Sequence, residues 1–185
     1  MNNKDLFLKA KVDLQPVYIK KYFDLDISWE RILNYLYKES IKEDNVDQKN
    51  RLSDKSGTSV VGNVIVQNPL WIQFDSSFTK VWETFPEFKD FLIKLNLDFD
   101  NNEDVTKCNF YNKINNKYEN CDCDAIWHPD SIKISLGPRI VDHHHDYWDA
   151  CYLQLAGNSL WEIDSSGKKY NFEIAPGDLL HFKKE

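Results

Sequence analysis

Residues 142–163, DHHHDYWDACYLQLAGNSLWEI, carry three consecutive histidines and two aspartates just ahead of a run with strong β-preference. In extended backbone successive side chains alternate between faces, so His144 and Asp146 project to one side and His143 and His145 to the other. A His-x-Asp pair of this kind can grip a single divalent ion. Two histidines and one carboxylate on one face of a metal, with other positions open, form the site that binds a cosubstrate and dioxygen on non-haem Fe(II). The second histidine is the missing member. A histidine run is equally at home in a solvated loop, so the flanking residues have to decide between the two readings.

The flank favours a metal. His144-x-Asp146 followed by Asp149, Gln154, Gly157, Trp161 and Ile163 resembles the metal-binding strand and following hairpin of JmjC-type and related cupin-like oxygenases. Ala175-Pro176-Gly177-Asp178-Leu179-Leu180-His181-Phe182 is similar to the Pro-Gly-Asp stretch that in those proteins leads into the strand with the third ligand. The resemblance runs from about Ile132 to Glu185. It implies a double-stranded β-helix, bound Fe(II), 2-oxoglutarate as cosubstrate, and hydroxylation or demethylation of a substrate that these residues do not identify. His144 and Asp146 are the implied metal ligands.

Two departures accompany it. The family's third ligand lies further beyond the Pro-Gly-Asp turn than the sequence extends, which reads most simply as a chain cut short of its last strands. His181 stands close by, but at the register position of an aromatic or aliphatic residue, so its use as a metal ligand requires a shifted geometry. Ser159 occupies the place where many relatives carry a lysine for the distal carboxylate of 2-oxoglutarate, and a hydroxyl offers hydrogen bonds without charge. Arg139 is a candidate for the missing cation. The alternative to an oxygenase is a non-catalytic cupin-like binding or structural module with an incomplete metal site. A further alternative is a metal-free jelly roll that holds ligands on surface aromatics.

Other residues fit structural roles. Trp148, Tyr152 and Trp161 suit a core as well as a substrate, and alternation puts Cys151, Leu153 and Leu155 on one face. Cys108, Cys121, Cys123 and His128 could offer three thiolates and an imidazole to zinc, but Cys121-Asp122-Cys123 has poor spacing for a knuckle. Unpaired thiols are the better reading, with His128 as a turn residue. Phosphate-binding loops, nucleophile elbows and kinase signatures are absent from the sequence.

The elements that would position these groups follow from periodicity. Trp29, Ile32, Leu33, Leu36 and Tyr37 have helical spacing over 28–40, with Ser28 as N-cap. Residues 42–59 read as a solvated loop, and 60–75 as two short strands or a strand and an extended arm, broken at Asn68-Pro69. Thr84-Phe85-Pro86-Glu87 reads as a capping box before Phe88, Phe91, Leu92 and Leu95. Residues 98–124 are polar and turn-rich. Strands are predicted at 131–136, 149–155, 159–164, 169–174 and 178–182, with hairpin turns at Ser165-Ser166-Gly167 and Ala175-Pro176-Gly177-Asp178.

The expected fold class is α+β: one domain over 1–185, with a helical or mixed section at 1–100 and a β-barrel portion at 125–185 carrying the site. The chain's 185 residues, 42% of them hydrophobic, suffice for one core. With 23 Lys plus Arg against 30 Asp plus Glu, the net charge of −7 disfavours non-specific nucleic-acid binding. No apolar run of membrane-spanning length and no signal-peptide pattern is present, and the cysteines number four, so a cytoplasmic location is expected.

Overall fold

The computed structural model describes residues 2–43, 58–62, 64–67, 71–75, 85–99, 109–112, 117–120, 131–135, 140–144 and 150–182. Their fold is α+β, with antiparallel sheets and few helices. Contacts divide the chain into two compact units, each drawn from separated stretches. The first comprises Met1–Asp26, Ile93–Glu103 and Asp142–Glu185, and the second Ile27–Leu92 and Asp104–Val141.

The first unit opens with helix α1, Asn3–Asp13, which periodicity does not announce because its apolar residues, Leu6, Phe7, Leu8, Ala10 and Val12, do not gather on one face. Its ends are well made. Asn2 accepts from the Asp5 N–H at 2.8 Å and its own N–H donates to the Asp5 carboxylate, a reciprocal cap. Leu14, in the left-handed region at φ 53°, closes the other end by donating to the Ala10 carbonyl. The Ser165 hydroxyl then donates to the Leu14 carbonyl at 2.6 Å.

Strand β1, Val17–Ile19, pairs with β11, Leu179–Phe182, which in turn pairs with β8, Ala150–Leu153, all antiparallel. Strands β9, Ser159–Ser165, and β10, Lys168–Ile174, form a second sheet joined by the two-residue loop Ser166-Gly167. Both loop residues have positive φ, 50° and 72°, as the hairpin turn that matches strand twist requires.

The second predicted turn is real, but it does not make a hairpin. Pro176 and Gly177, the latter at φ +86°, sit between Ala175 and an Asp178 N–H that donates back to the Ala175 carbonyl at 3.0 Å. The strands on either side belong to different sheets. Across the same corner the Gln154 N–H donates to the Asp178 carbonyl at 3.0 Å, and the Gly177 N–H to the Gln154 carbonyl at 2.9 Å. Gly177 and Asp178 together oppose Gln154, the two-against-one count of a β-bulge with glycine at its left-handed position. Residues 150–182 are thus one long antiparallel ribbon, closed at Ser166-Gly167 and folded over at 154–158 against 175–178, so that β8/β11 and β9/β10 lie in separate sheets.

The register sorts the side chains. On one face Tyr18, Tyr152, Leu180 and Phe182 turn toward the β9/β10 sheet, where Trp161 lies 4.5 Å from Tyr152 and 6.2 Å from Phe182, ring centroid to centroid, and Phe172 lies 5.6 Å from Tyr18. On the other face lie Val17, Cys151 and His181, with Phe7 of α1 meeting the His181 ring edge-on at 5.8 Å. Ile174, Leu179 and Leu180 are buried completely or nearly so, each contributing about 1.5–3 kcal/mol of apolar transfer.

The second unit holds helix α2, Trp29–Ser40, capped by the Ser28 hydroxyl on the Arg31 N–H as the sequence predicts. Three strands occupy the region where two were expected: β2, Thr58–Val61, β3, Val64–Gln67, and β4, Trp71–Asp75, followed in the sheet by β7, Ser131–Ser135. The expected loop 42–59 therefore gives up Thr58 and Ser59 to β2. Strands β5, Asn109–Asn112, and β6, Lys117–Asn120, pair within the stretch read as turn-rich. Phe110, Tyr111 and Tyr118 supply a β-preference that the surrounding asparagines masked. Helix α3, Glu87–Phe99, begins where predicted, with Thr84 of the capping box outside the described residues. Phe85 packs edge-on against both Tyr35 and Phe88, beneath an Arg31 guanidinium that also pairs with Glu87. Among the described residues the strands form four sheets and no closed barrel.

Gly62 marks the tightest approach in this unit. At φ +60° it sits where a Cβ would lie 2.2 Å from the Glu39 carbonyl oxygen at the end of α2. Gly167 has a comparable φ, +72°, with open space around it. Gly62→Ala is therefore expected to cost at least about 3 kcal/mol, strain plus displaced backbone, against about 1 kcal/mol for Gly167→Ala. Thermal unfolding of the two variants checks this; equal melting temperatures would show that α2 and the β2–β3 turn are not in contact.

Candidate functional site

The His-rich segment enters the first unit over 142–144 without regular secondary structure. His144 is exposed, and its Nδ1 lies 2.8 Å from the Asp142 carbonyl oxygen. A carbonyl only accepts, so Nδ1 is the donor in this contact. His143 turns to Glu162 on β9, with Nε2 3.2 Å from the carboxylate. Asp146, His145, Trp148, Asp149 and Arg139 lie outside the described residues, as do Cys108, Cys121, Cys123 and His128.

Ser159 belongs to a closed polar bracket at the fold of the ribbon. The Gln154 amide donates to the carbonyls of Ala156, at 2.7 Å, and Gly157, at 3.3 Å. Its oxygen accepts the Ser159 hydroxyl at 3.0 Å, and that hydroxyl accepts the Trp161 indole N–H at 2.9 Å. The single hydroxyl proton is spent on Gln154, so Ser159 meets an incoming carboxylate only by releasing that bond. The spacing Gln-x-x-Gly-x-Ser-x-Trp is here a device that holds a corner.

His181 is 2% exposed. Its Nδ1 is 3.0 Å from the Ala150 carbonyl oxygen and 3.4 Å from Cys151 Sγ, and the ring packs on Phe7. Nδ1 is again a donor. The register puts this imidazole on the helix-facing side of β11, away from the Tyr152–Trp161–Phe182 face. The structure brings His181 together with Cys151, not with the exposed His144. Among the described residues no group of three or more His, Cys, Asp or Glu side chains is disposed to hold a metal ion.

One buried carboxylate stands in the Pro-Gly-Asp turn that the sequence reads as leading into the last strand. Asp178 is 3% exposed and accepts three bonds: from the Tyr18 hydroxyl at 2.6 Å, the Lys21 N–H at 2.8 Å and the Ala175 N–H at 3.0 Å. Burial alone would raise its pKa, but the Tyr18 hydroxyl and the two backbone donors outweigh it and hold the carboxyl below its usual range. Burial, and then the bond to Asp178, pushes the Tyr18 phenol up to about 12. No local pattern marks this pairing, because the partners lie at opposite ends of the sequence.

A second cluster gathers Tyr22, Lys94, Asp98 and Asn3. The Lys94 ammonium is 4.4 Å from the Tyr22 ring centroid and 3.0 Å from the Asp98 carboxylate, which also accepts from Asn3 at 3.3 Å. Burial and the Asp98 carboxylate raise the Tyr22 pKa. Burial works against ionisation of Asp98, yet the bonds from Lys94 and Asn3, with the Tyr22 hydroxyl close by, prevail and lower its pKa.

No protein-family model matches this chain, and neither does any curated protein or solved structure. Among the described residues no helix is long and apolar enough to cross a membrane.

A carboxyl whose folded pKa is depressed stabilises the protein above its unfolded pKa, about 3.9, and loses that contribution as pH falls through the folded value. Asp178→Asn is expected to cost about 3 kcal/mol at pH 7 and to flatten the acid limb of the stability curve below about pH 4. Urea unfolding at several pH values measures both effects; wild-type stability in the variant at pH 7 would remove Asp178 from its central position.

Proposed function

We propose that the chain is a Fe(II)- and 2-oxoglutarate-dependent oxygenase-like protein of the hydroxylase or demethylase type, built on a double-stranded β-helix, with His144 and Asp146 as its metal ligands. The observation that supports it most is the folded ribbon of residues 150–182, which begins four residues after Asp146. A ribbon of paired strands folded from one sheet into a facing one is the building step of jelly-roll and cupin architectures. His144 fits a metal in one respect. With Nδ1 donating to the Asp142 carbonyl, the outer-shell bond usual for metal-binding histidines, Nε2 would be the ligating nitrogen.

A bound Fe(II) would supply the activation of dioxygen, one atom of which ends in succinate as 2-oxoglutarate loses carbon dioxide and the other in the substrate. The chain's own part is to fix the His144 ring through Asp142 and to keep the neighbouring fold rigid through the Gln154–Ser159–Trp161 bracket. The reading rests on His144 and Asp146, since His181 serves the helix-side core. It places the protein in the cytoplasm, where a thiol such as Cys151 stays reduced. A non-catalytic cupin-like binding module is the second reading, favoured by the commitment of the Ser159 proton to Gln154 and of His181 to packing.

Titration with Mn(II), a redox-silent stand-in, should show one site per chain that is lost in His144→Ala combined with Asp146→Ala. Unchanged binding in that double variant removes the proposed site. Iron-loaded protein is further expected to release succinate slowly from 2-oxoglutarate without added substrate. Metal binding with no succinate above the metal-free control would select the binding module instead.

A further inference from the structure

Strand β10 has one paired edge and one open edge. The Ser166-Gly167 turn makes Ser165 and Lys168 a hydrogen-bonded pair, and the alternation of an antiparallel ladder then bonds Tyr170, Phe172 and Ile174 to β9. The backbone groups of Lys169, Asn171 and Glu173 point the other way. Among the described residues only the Tyr18 hydroxyl reaches them, at 3.0 Å from the Glu173 carbonyl oxygen, which retains a second lone pair. All three side chains are exposed, and Asn171, Phe172 and Glu173 line an open groove of about 580 Å³.

The side chains along this edge complement themselves. Antiparallel addition of the same strand from a second copy, with the two-fold axis at Asn171, sets Lys169 opposite Glu173 of the second copy, and Glu173 opposite Lys169 of the second copy. On the exposed face each Lys169 then lies between its own Asp164, its cross-strand neighbour in β9, and the incoming Glu173. On the other face Tyr170 meets Phe172 of the second copy, extending the aromatic row that already includes Trp161. Slipping the register by two residues in either direction breaks both opposite-charge pairs. Opposite charges and aromatic residues directly across a ladder are the favourable cross-strand pairs.

We infer that β10 is a self-association edge, through which two copies of this chain join antiparallel about Asn171 into a continuous β9–β10–β10–β9 sheet. The interface is isologous, so it closes at two copies and does not propagate. One strand on each side makes a seam smaller than the ~800 Å² per partner of a stable complex, so the dimer dissociates on dilution. This surface is independent of the metal reading, because none of its residues belongs to that site.

Sedimentation velocity of the 185-residue chain across a concentration series tests the proposal. The wild type should shift from monomer toward dimer as concentration rises. Lys169→Glu alone and Glu173→Lys alone each place like charges opposite one another twice and should weaken association at least about tenfold. The double variant Lys169→Glu/Glu173→Lys restores the opposite-charge pairs and should regain dimerisation, with circular dichroism confirming that every variant is folded. The double variant also lacks the native Lys169–Glu162 bridge, so its recovery cannot come from repair of the hairpin itself. A wild type that stays monomeric at every concentration overturns the proposal and leaves Lys168 and Lys169 as guards of the edge. A dimer indifferent to all three variants, or one that the double variant fails to restore, overturns it as well.

Discussion

The Asp178 carboxylate is the constraint on which the first unit depends. It draws donors from three places: its own turn through Ala175, the segment after β1 through Lys21, and β1 itself through Tyr18. Each donor would be costly to leave unmade in a buried setting, and one charged acceptor satisfies all of them. The turn that carries Asp178 is also where the ribbon changes sheets, so the same residue that bends the chain also anchors β1. The Phe23 N–H adds to this by donating to the Gly177 carbonyl at 3.2 Å. A Cβ on Gly177 would stand 3.3 Å from the Phe23 carbonyl oxygen, so the closeness of this segment also asks for glycine there.

Much of the local structure was legible because its causes are local. The Ser28 cap, the Ser166-Gly167 turn and the Pro176-Gly177 turn are each written within four residues, and the C-terminal strands match their predicted bounds to within about three residues. What was not legible depends on partners distant in the chain. Helix α1 has little amphipathic character of its own and is held by Phe7 against His181 and by Ser165 on Leu14. Strand β1 is three residues long and exists through its ladder with β11. Strands β5 and β6 were hidden by an asparagine-rich composition whose few aromatic residues alone indicate pairing.

The division of the chain into two interleaved units has the same origin. Composition gives no linker between them, since the first unit takes its residues from the beginning, the middle and the end of the sequence. Helix α3 shows how this escapes a linear reading. Its early residues, Glu87 and Phe88, serve Arg31 and Phe85, while Lys94 and Asp98 serve Tyr22 and Asn3, all within one uninterrupted helical pattern. Periodicity reports that a face is apolar, but it is silent on which neighbour covers each half.

The same distinction separates the parts of the family resemblance. Gln154, Gly157, Ser159 and Trp161 are joined by hydrogen bonds that brace one corner of the ribbon, and Pro176, Gly177 and Asp178 form the opposing corner. Residues with these roles recur wherever a ribbon must fold at such a corner, whatever chemistry the fold carries, so a likeness built on them argues for architecture. His181 illustrates the converse: it sits in a stretch that resembles a ligand-bearing strand, yet the alternation of β11 turns it toward α1, whose presence was not foreseen. With His181 turned to the helix side, the proposed metal site rests on His144 and Asp146. His144 lies at the surface, its Nδ1 donating to the Asp142 carbonyl two residues away.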